Sequence, residues 1–224
     1  MRYAIIKQGE SPSFPANDPF LAQASPEVDA EVMIYCGVDH KDDESKQAIL
    51  IELGNECLGE HTGESSGTEG SNVVGFARYR NGSDAPSKLV ELVRQPRTLA
   101  TALAAARTVF EGVGLEVVIS GDQAGRIINR LVCPKYNAAL RFLDEGLATQ
   151  KDMDLTCKLG LGYPDGPIER VSRGGLDRYY EVSKSLFDVF GTSAYAPARR
   201  AVVAFNRGKR KQQDLRETCK SGAD

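Results

Sequence analysis

The 224-residue sequence has no tryptophan and only two histidines, His40 and His61. Both histidines sit in polar segments, "VDHKDDES" and "GEHTGESSG", which predicts solvated rather than catalytic rings. The five cysteines, Cys36, Cys57, Cys133, Cys157 and Cys219, are scattered, with no C-x-x-C pair and no histidine at ligand spacing. That pattern speaks against a metal centre and predicts buried free thiols. No apolar run approaches the roughly 18–20 residues that span a bilayer. The start, "MRYAIIKQGE", turns polar after six residues, which predicts no secretory leader and a cytoplasmic protein. Positive charge is not in excess: 28 Lys and Arg against 31 Asp and Glu leave a net charge of −3. No basic field is therefore expected to attract nucleic acid or a membrane surface. What remains, 41% hydrophobic and 26% charged residues, is an ordinary globular chain. Its length suits one large domain or two modest ones.

The first half alternates strand and helix patterns. "YAIIK" (3–7) reads as a strand, and "AEVMIYCGV" (30–38) as a buried one. "DESKQAILIELGNECL" reads as a helix with Leu50, Leu53 and Cys57 on one face. Residues 59–72, "GEHTGESSGTEGSN", have no apolar periodicity and predict a flexible loop. "VVGFARY" (73–79) and "KLVELV" (88–93) read as strands, and "LEVVIS" (115–120) as the last one. Between them "RTLATALAAARTVFEGVG" is an Ala-rich helix closed by Gly112 and Gly114. After Ile119 only helical patterns follow, and no internal repeat is present. The expected architecture is an α/β domain over 1–120, an all-α domain over 121–207, and a charged, frayed tail over 208–224.

Two polar residues stand out. Asn129 lies in a long helix that Asp122 is placed to cap, on one stripe with Cys133, Tyr136, Leu140 and Leu143. A buried amide without a partner costs about 1–3 kcal/mol, so Asn129 either knits two elements together or faces a site. Glu91 alternates with Val90 and Leu92 along a strand and so faces away from them.

An α/β layer followed by helices suggests a nucleotide-binding sheet, which needs glycines between the first strand and its helix. Here that connection is "KQGESPSFPAND", with one glycine and two prolines. G-x-G-x-x-G and the Walker pattern are both absent, and "GLGYPDG" follows a helix, as a turn would.

The second half nevertheless resembles a known family. Its motifs are N-R-L at Asn129–Leu131, N-x-A at Asn137–Ala139, E-G-L-A-T at 145–149 and D-x-D at Asp152–Asp154. K-L-G-x-G-Y-P-x-G-P at 158–167 and G-L-D at 175–177 follow in order. Together they resemble the C-terminal helical domain of the 3-hydroxyacyl-CoA dehydrogenases. "VVGF" and the segment from "LVE" to "LEVVIS" resemble the end of that family's dinucleotide domain, and residues before 73 match poorly.

The resemblance implies a reduced Rossmann-like α/β domain followed by an all-α 3-hydroxyacyl-CoA dehydrogenase-type domain that forms a homodimer and closes an acyl-CoA cleft. It implies NAD as cofactor, a base histidine held by a glutamate, and an asparagine near the reacting carbon. Carried over, the glutamate is Glu91 and the asparagine Asn129, the two catalytic candidates. The histidine is missing, since Ala77 or Tyr79 falls in its place. Arg126 stands where the family has phenylalanine, and the closing aromatic motif has become the charged tail. Residues 1–120 look like the reduced second module of longer bacterial members. The expectation is a family member degenerate for hydride transfer, with no cofactor of its own assigned, acting as an acyl-CoA-binding or dimeric partner subunit. The alternatives are an active dehydrogenase with altered residues or completed by another chain, and a protein in which Glu91 and Asn129 are only structural.

Overall fold

The computed structural model describes residues 1–69 and 71–221, with side chains for all of these except 65–69 and 215–221. By its contacts the chain divides into two compact units. One comprises Met1–Arg80 and Ala85–Ile128, the other Asn81–Asp84 and Asn129–Asp224. The sequence had suggested a division at residue 120.

In the first unit one sheet is built from β1 (Tyr3–Lys7), β2 (Val32–Cys36), β3 (Ala48–Glu52), β4 (Val73–Arg78), β5 (Leu89–Arg94) and β6 (Glu116–Gly121). The strands stand side by side in chain order. β1 to β4 are parallel, β5 is antiparallel to β4, and β6 is parallel to β5. Both faces are covered, which is why β2 and β3 are buried at every position.

On one face Ile34, Leu50, Phe76, Val90 and Leu92 pack with a short helix α1 (Pro19–Ala22) and with a longer helix whose bounds are Ala100–Glu111. That longer helix turns Ala102, Ala105, Ala106, Val109 and Phe110 inward. Phe14, fully buried, stacks on Phe20 of α1 at 4.2 Å and completes this layer. On the other face Met33, Tyr35, Ile49, Ile51 and Val93 cluster with Leu58.

Two sequence expectations fail in this unit. Residues 48–52 form β3, not part of a helix. The run Ala48-Ile49-Leu50-Ile51 is apolar on both sides because both faces of the sheet are covered, and it carries no helical period. Residues 59–72, expected to be loop, instead contain helix α2 (Gly59–Glu69), broken at Gly63 with φ 73°. Asp122 caps the start of α2, not the long helix expected after it. Its carboxylate accepts the Leu58 N–H at 2.6 Å and the Gly59 N–H at 2.8 Å. A cap arriving from so far along the chain leaves no local signature. The Ala100–Glu111 helix is α3 in chain order.

The second unit is helical: α4 (Ile128–Asp144), α5 (Gln150–Leu161), α6 (Pro167–Gly174), α7 (Leu176–Phe190) and α8 (Arg199–Ser221). The tail expected to fray from residue 208 continues α8 to Ser221. The motifs behind the resemblance organise this unit. Thr149 caps α5 by accepting the Asp152 N–H, and Gly162 ends it in the left-handed conformation at φ 69°. Asp154 caps α6, accepting the Ile168 N–H at 2.9 Å and the Glu169 N–H at 3.1 Å. Gly166 must be glycine, because a Cβ there would lie 2.2 Å from the Asp154 side chain.

Asn137, completely buried, joins α4 to α7 and to the turn after it. Its Nδ2 donates to Ser183 Oγ at 3.1 Å and to the Ala194 carbonyl at 2.9 Å. The Tyr179 hydroxyl lies 2.9 Å from Asn137 Oδ1 and 2.8 Å from the Cys133 carbonyl. Among the described cysteines Cys36 and Cys133 are buried free thiols as expected, whereas Cys57 and Cys157 are only half-buried.

Candidate functional site

The antiparallel pairing of β4 and β5 sets Ala77 opposite Glu91. Their side chains therefore leave the same face of the sheet, away from the layer that holds Val90 and Leu92. Glu91 is 3% exposed. Its Oε1 accepts the N–H groups of Ile127 at 2.8 Å and Ile128 at 3.0 Å, at the start of α4. A carboxylate there satisfies amides that the helix cannot and meets the positive end of its dipole.

The other oxygen of Glu91 lies 3.8 Å from Nε of Arg126, and both side chains are 4% exposed. Arg126 has φ 48°, a left-handed backbone that an arginine rarely adopts. Its Nη2 donates to the Gly54 carbonyl, while Nε and Nη1 have no hydrogen-bond partner among the described residues. Burial pulls the guanidinium's pKa down, and the charges of Glu91 and Glu56 oppose that. Arg126 is thus the partner of Glu91 that the sequence did not reveal. Its only signal was a cation at a position where the resembled family has an aromatic ring.

Glu56 extends this cluster. Burial raises its pKa, but the backbone N–H groups of Glu56 and Gly54 and the ring of His61 outweigh burial and leave it below 4.5. Its Oε1 accepts the Gly54 N–H at 2.8 Å and lies 3.3 Å from His61 Nε2. His61 is an exposed residue, as read from the sequence, and its ring is paired with Glu56. His40 lies 3.3 Å from the exposed Asp42.

The carboxyl end of β1, where a dinucleotide fold offers a glycine loop to a pyrophosphate, is occupied by another carboxylate. Glu52, 9% exposed, accepts the Ser11 hydroxyl at 2.7 Å and the Ser13 N–H at 2.8 Å. The Cys36 thiol beside it is pushed up by burial and then by Glu52. The strand order also runs in one direction, without the reversal that opens a crevice at a switch point.

Asn129 is the second residue of α4 and half-buried. It opens the helical unit, whereas Glu91 belongs to the sheet unit, so the two candidates fall in different units. The fully buried amide of α4 is Asn137, which the N-x-A motif contained and stripe reasoning passed over. Tyr79 is half-buried and Ala77 buried. Among the described residues no three acidic, His or Cys side chains could hold a metal ion, and no helix is long and apolar enough to cross a membrane.

Residues 125–217 match the family model of the 3-hydroxyacyl-CoA dehydrogenase C-terminal domain. The chain is 39% identical over 90 residues to the mitochondrial hydroxyacyl-coenzyme A dehydrogenase of Sus scrofa, a match covering 40% of this chain and 29% of that protein. It is 33% identical over 116 residues to a 3-hydroxybutyryl-CoA dehydrogenase of Mycobacterium tuberculosis, covering 50% of this chain and 41% of that protein. The chain therefore spans less than half the length of these curated relatives. Among solved structures it is similar to the (S)-3-hydroxybutyryl-CoA dehydrogenase of Ralstonia eutropha, with a TM-score of 0.66 and 22% identity over 80% of this chain and 66% of that one. It is also similar to the 3-hydroxybutyryl-CoA dehydrogenase of Escherichia coli, with a TM-score of 0.56 and 22% identity over 90% of this chain and 39% of that one. At such identity these structures speak for the fold, a Rossmann-like sheet followed by the helical domain.

Proposed function

We propose that this 3-hydroxyacyl-CoA dehydrogenase-like chain, whose residues 125–217 match the C-terminal domain model of that family, serves acyl-CoA metabolism as a binding or dimeric partner subunit without transferring hydride itself. The engagement of Glu91 carries this reading. Dehydrogenation of a hydroxyl needs a base poised near neutral pH, and the position opposite Glu91 is Ala77. The carboxylate that would hold an imidazole is instead taken up by Arg126 and two backbone amides.

The residues present do not fit NAD. A pyrophosphate brought to the loop after β1 would meet Glu52, which already takes the Ser11 and Ser13 donors. In this reading Asn129 is the amide assigned to the acyl thioester. The partner is a second copy of the chain, bound through the helical unit. Leu131, Leu159 and Leu161, 70%, 79% and 62% exposed, are more apolar surface than α4 and α5 need if alone.

An active dehydrogenase is the second reading, favoured by one observation. His61 and Glu56 form an imidazole–carboxylate pair in the sheet unit. Calorimetric titration with butyryl-CoA, combined with light scattering after gel filtration, tests the first reading. Saturable binding by a dimer is expected. A monomer that gives no heat with butyryl-CoA would end it.

A further inference from the structure

The sheet ends in two edge strands, and the chain treats them differently. The outer side of β1 is covered, since the Tyr3 carbonyl accepts the Ser25 N–H at 2.7 Å. β6 is the last strand at the other end, and among the described residues no strand lies beyond it. The Glu116 N–H donates to the Lys88 carbonyl at 2.8 Å, so Glu116, Val118 and Ser120 turn their main-chain groups toward β5. Val117, Ile119 and Gly121 alternate with them and turn theirs outward, where nothing among the described residues pairs with them.

Exposed edges are ordinarily blunted by proline, lysine, a bulge or a covering segment. β6, with the sequence EVVISG, has neither proline nor lysine, and its register with β5 runs unbroken from Glu116 to Gly121. Ile119 on this edge is 41% exposed.

We propose that the outer edge of β6 pairs with β6 of a second copy of this chain, antiparallel, about a two-fold axis at Val118. In that register Val117 lies opposite Ile119 of the second copy. Both turn their main chains outward, so the two residues exchange both N–H···O=C bonds. Symmetry repeats the exchange at Ile119. Glu116 then meets Ser120 and Val118 meets itself, so no like charges face each other.

Neighbouring registers are worse. An axis at Ile119 would set Glu116 against Asp122. An axis at Val117 would set Ile119 opposite Leu115, whose N–H already donates to the Phe110 carbonyl. The strand is thus its own complement in one register, which is why the occupant is a second copy and not an unrelated strand. This contact lies on the sheet unit and does not depend on the helical-unit dimer read above. Two different two-fold contacts on one chain build assemblies larger than a dimer. The edge is short, so pairing should appear only as the protein is concentrated.

The test is amide hydrogen exchange on the whole protein along a concentration series, with sedimentation equilibrium on the same samples. The Val117 and Ile119 amides should exchange freely when dilute and at least about tenfold more slowly when concentrated, as the mass rises. Ile119→Pro removes an outward N–H that bonds nothing in its own unit and should abolish both changes. Val118→Lys and Val118→Glu each place like charges at the axis and should abolish them too, whereas an equal mixture of the two should restore them.

Amides that exchange at one rate at every concentration would overturn the proposal and leave the edge to a strand of another protein. So would a mass rise that survives Ile119→Pro. Should that variant not fold, the mixture decides, and no restoration in it overturns the pairing. If the folded Ile119→Pro protein is a monomer, the β6 pairing stands and the helical-unit dimer fails; if it is a dimer, both stand.

Discussion

Ala77 and Glu91 face each other across β4 and β5, and the cation beside Glu91 is the guanidinium of Arg126. Two departures from the resembled family are thereby joined: an imidazole absent at one position and an arginine present at another. A buried carboxylate left without a cation would be costly, and so would a buried guanidinium without an anion.

Glu91→Gln should therefore destabilise the protein by about 3–5 kcal/mol in urea unfolding, because it strands a buried guanidinium. Arg126→Met alone should cost less, since the Ile127 and Ile128 amides still hold the carboxylate. The double variant should lose clearly less than the sum of the two. Additive losses would mean that the pair is not coupled.

Ala77→His places an imidazole beside a carboxylate that Arg126 already holds. Burial and Arg126 should hold its pKa below the ordinary value of about 6.5, read by NMR titration. Adding Arg126→Phe removes the competing cation and lets Glu91 raise it. In that double variant the imidazole's contribution to stability should be fully present below about pH 6.5 and lost as pH rises through the raised folded value. Neither variant should oxidise 3-hydroxybutyryl-CoA, because Glu52 still occupies the loop after β1. Turnover in either would refute the account of that loop.

Much of this was legible in the sequence and some was not, for identifiable reasons. The strands at 3–7, 73–78 and 89–94 showed in their apolar runs or alternation, and the helical half in its motifs. Those motifs are capping and turn devices such as Thr149, Asp154 and Gly166, and local chemistry of that kind is readable. β3 was misread because a strand buried on both faces has no alternation to show. α2 was missed because its cap, Asp122, comes from a distant part of the chain. Glu91 was singled out only through the family resemblance, with a solvated strand position left open; its burial, and its partner, depend on a loop that brings Arg126 back to the sheet.

Glu56 gives a pH dependence of known sign. Its folded pKa lies below the ordinary 4.5. Its contribution to stability is therefore fully present above about pH 4.5 and is lost as pH falls through the folded value. Glu56→Gln should be less stable than wild type at neutral pH, with the gap closing below pH 4. A gap that persists at acid pH would assign the effect to packing.

The two asparagines of α4 should separate cleanly. Asn137→Ala leaves the Ala194 carbonyl without its side-chain donor, while Ser183 keeps its bond to the Tyr195 carbonyl, and should lower stability by about 1–3 kcal/mol. Asn129→Ala should leave the dimer intact while weakening butyryl-CoA binding. Unchanged affinity in Asn129→Ala would make that residue a structural one.

The measurement that bears most directly on the central claim is a fluorescence titration of the purified protein with NADH. The account predicts no saturable signal up to millimolar NADH, since Glu52 takes the donors that a pyrophosphate would need. Saturable binding would contradict it and bring forward the dehydrogenase reading, with His61 and Glu56 as its acid–base pair.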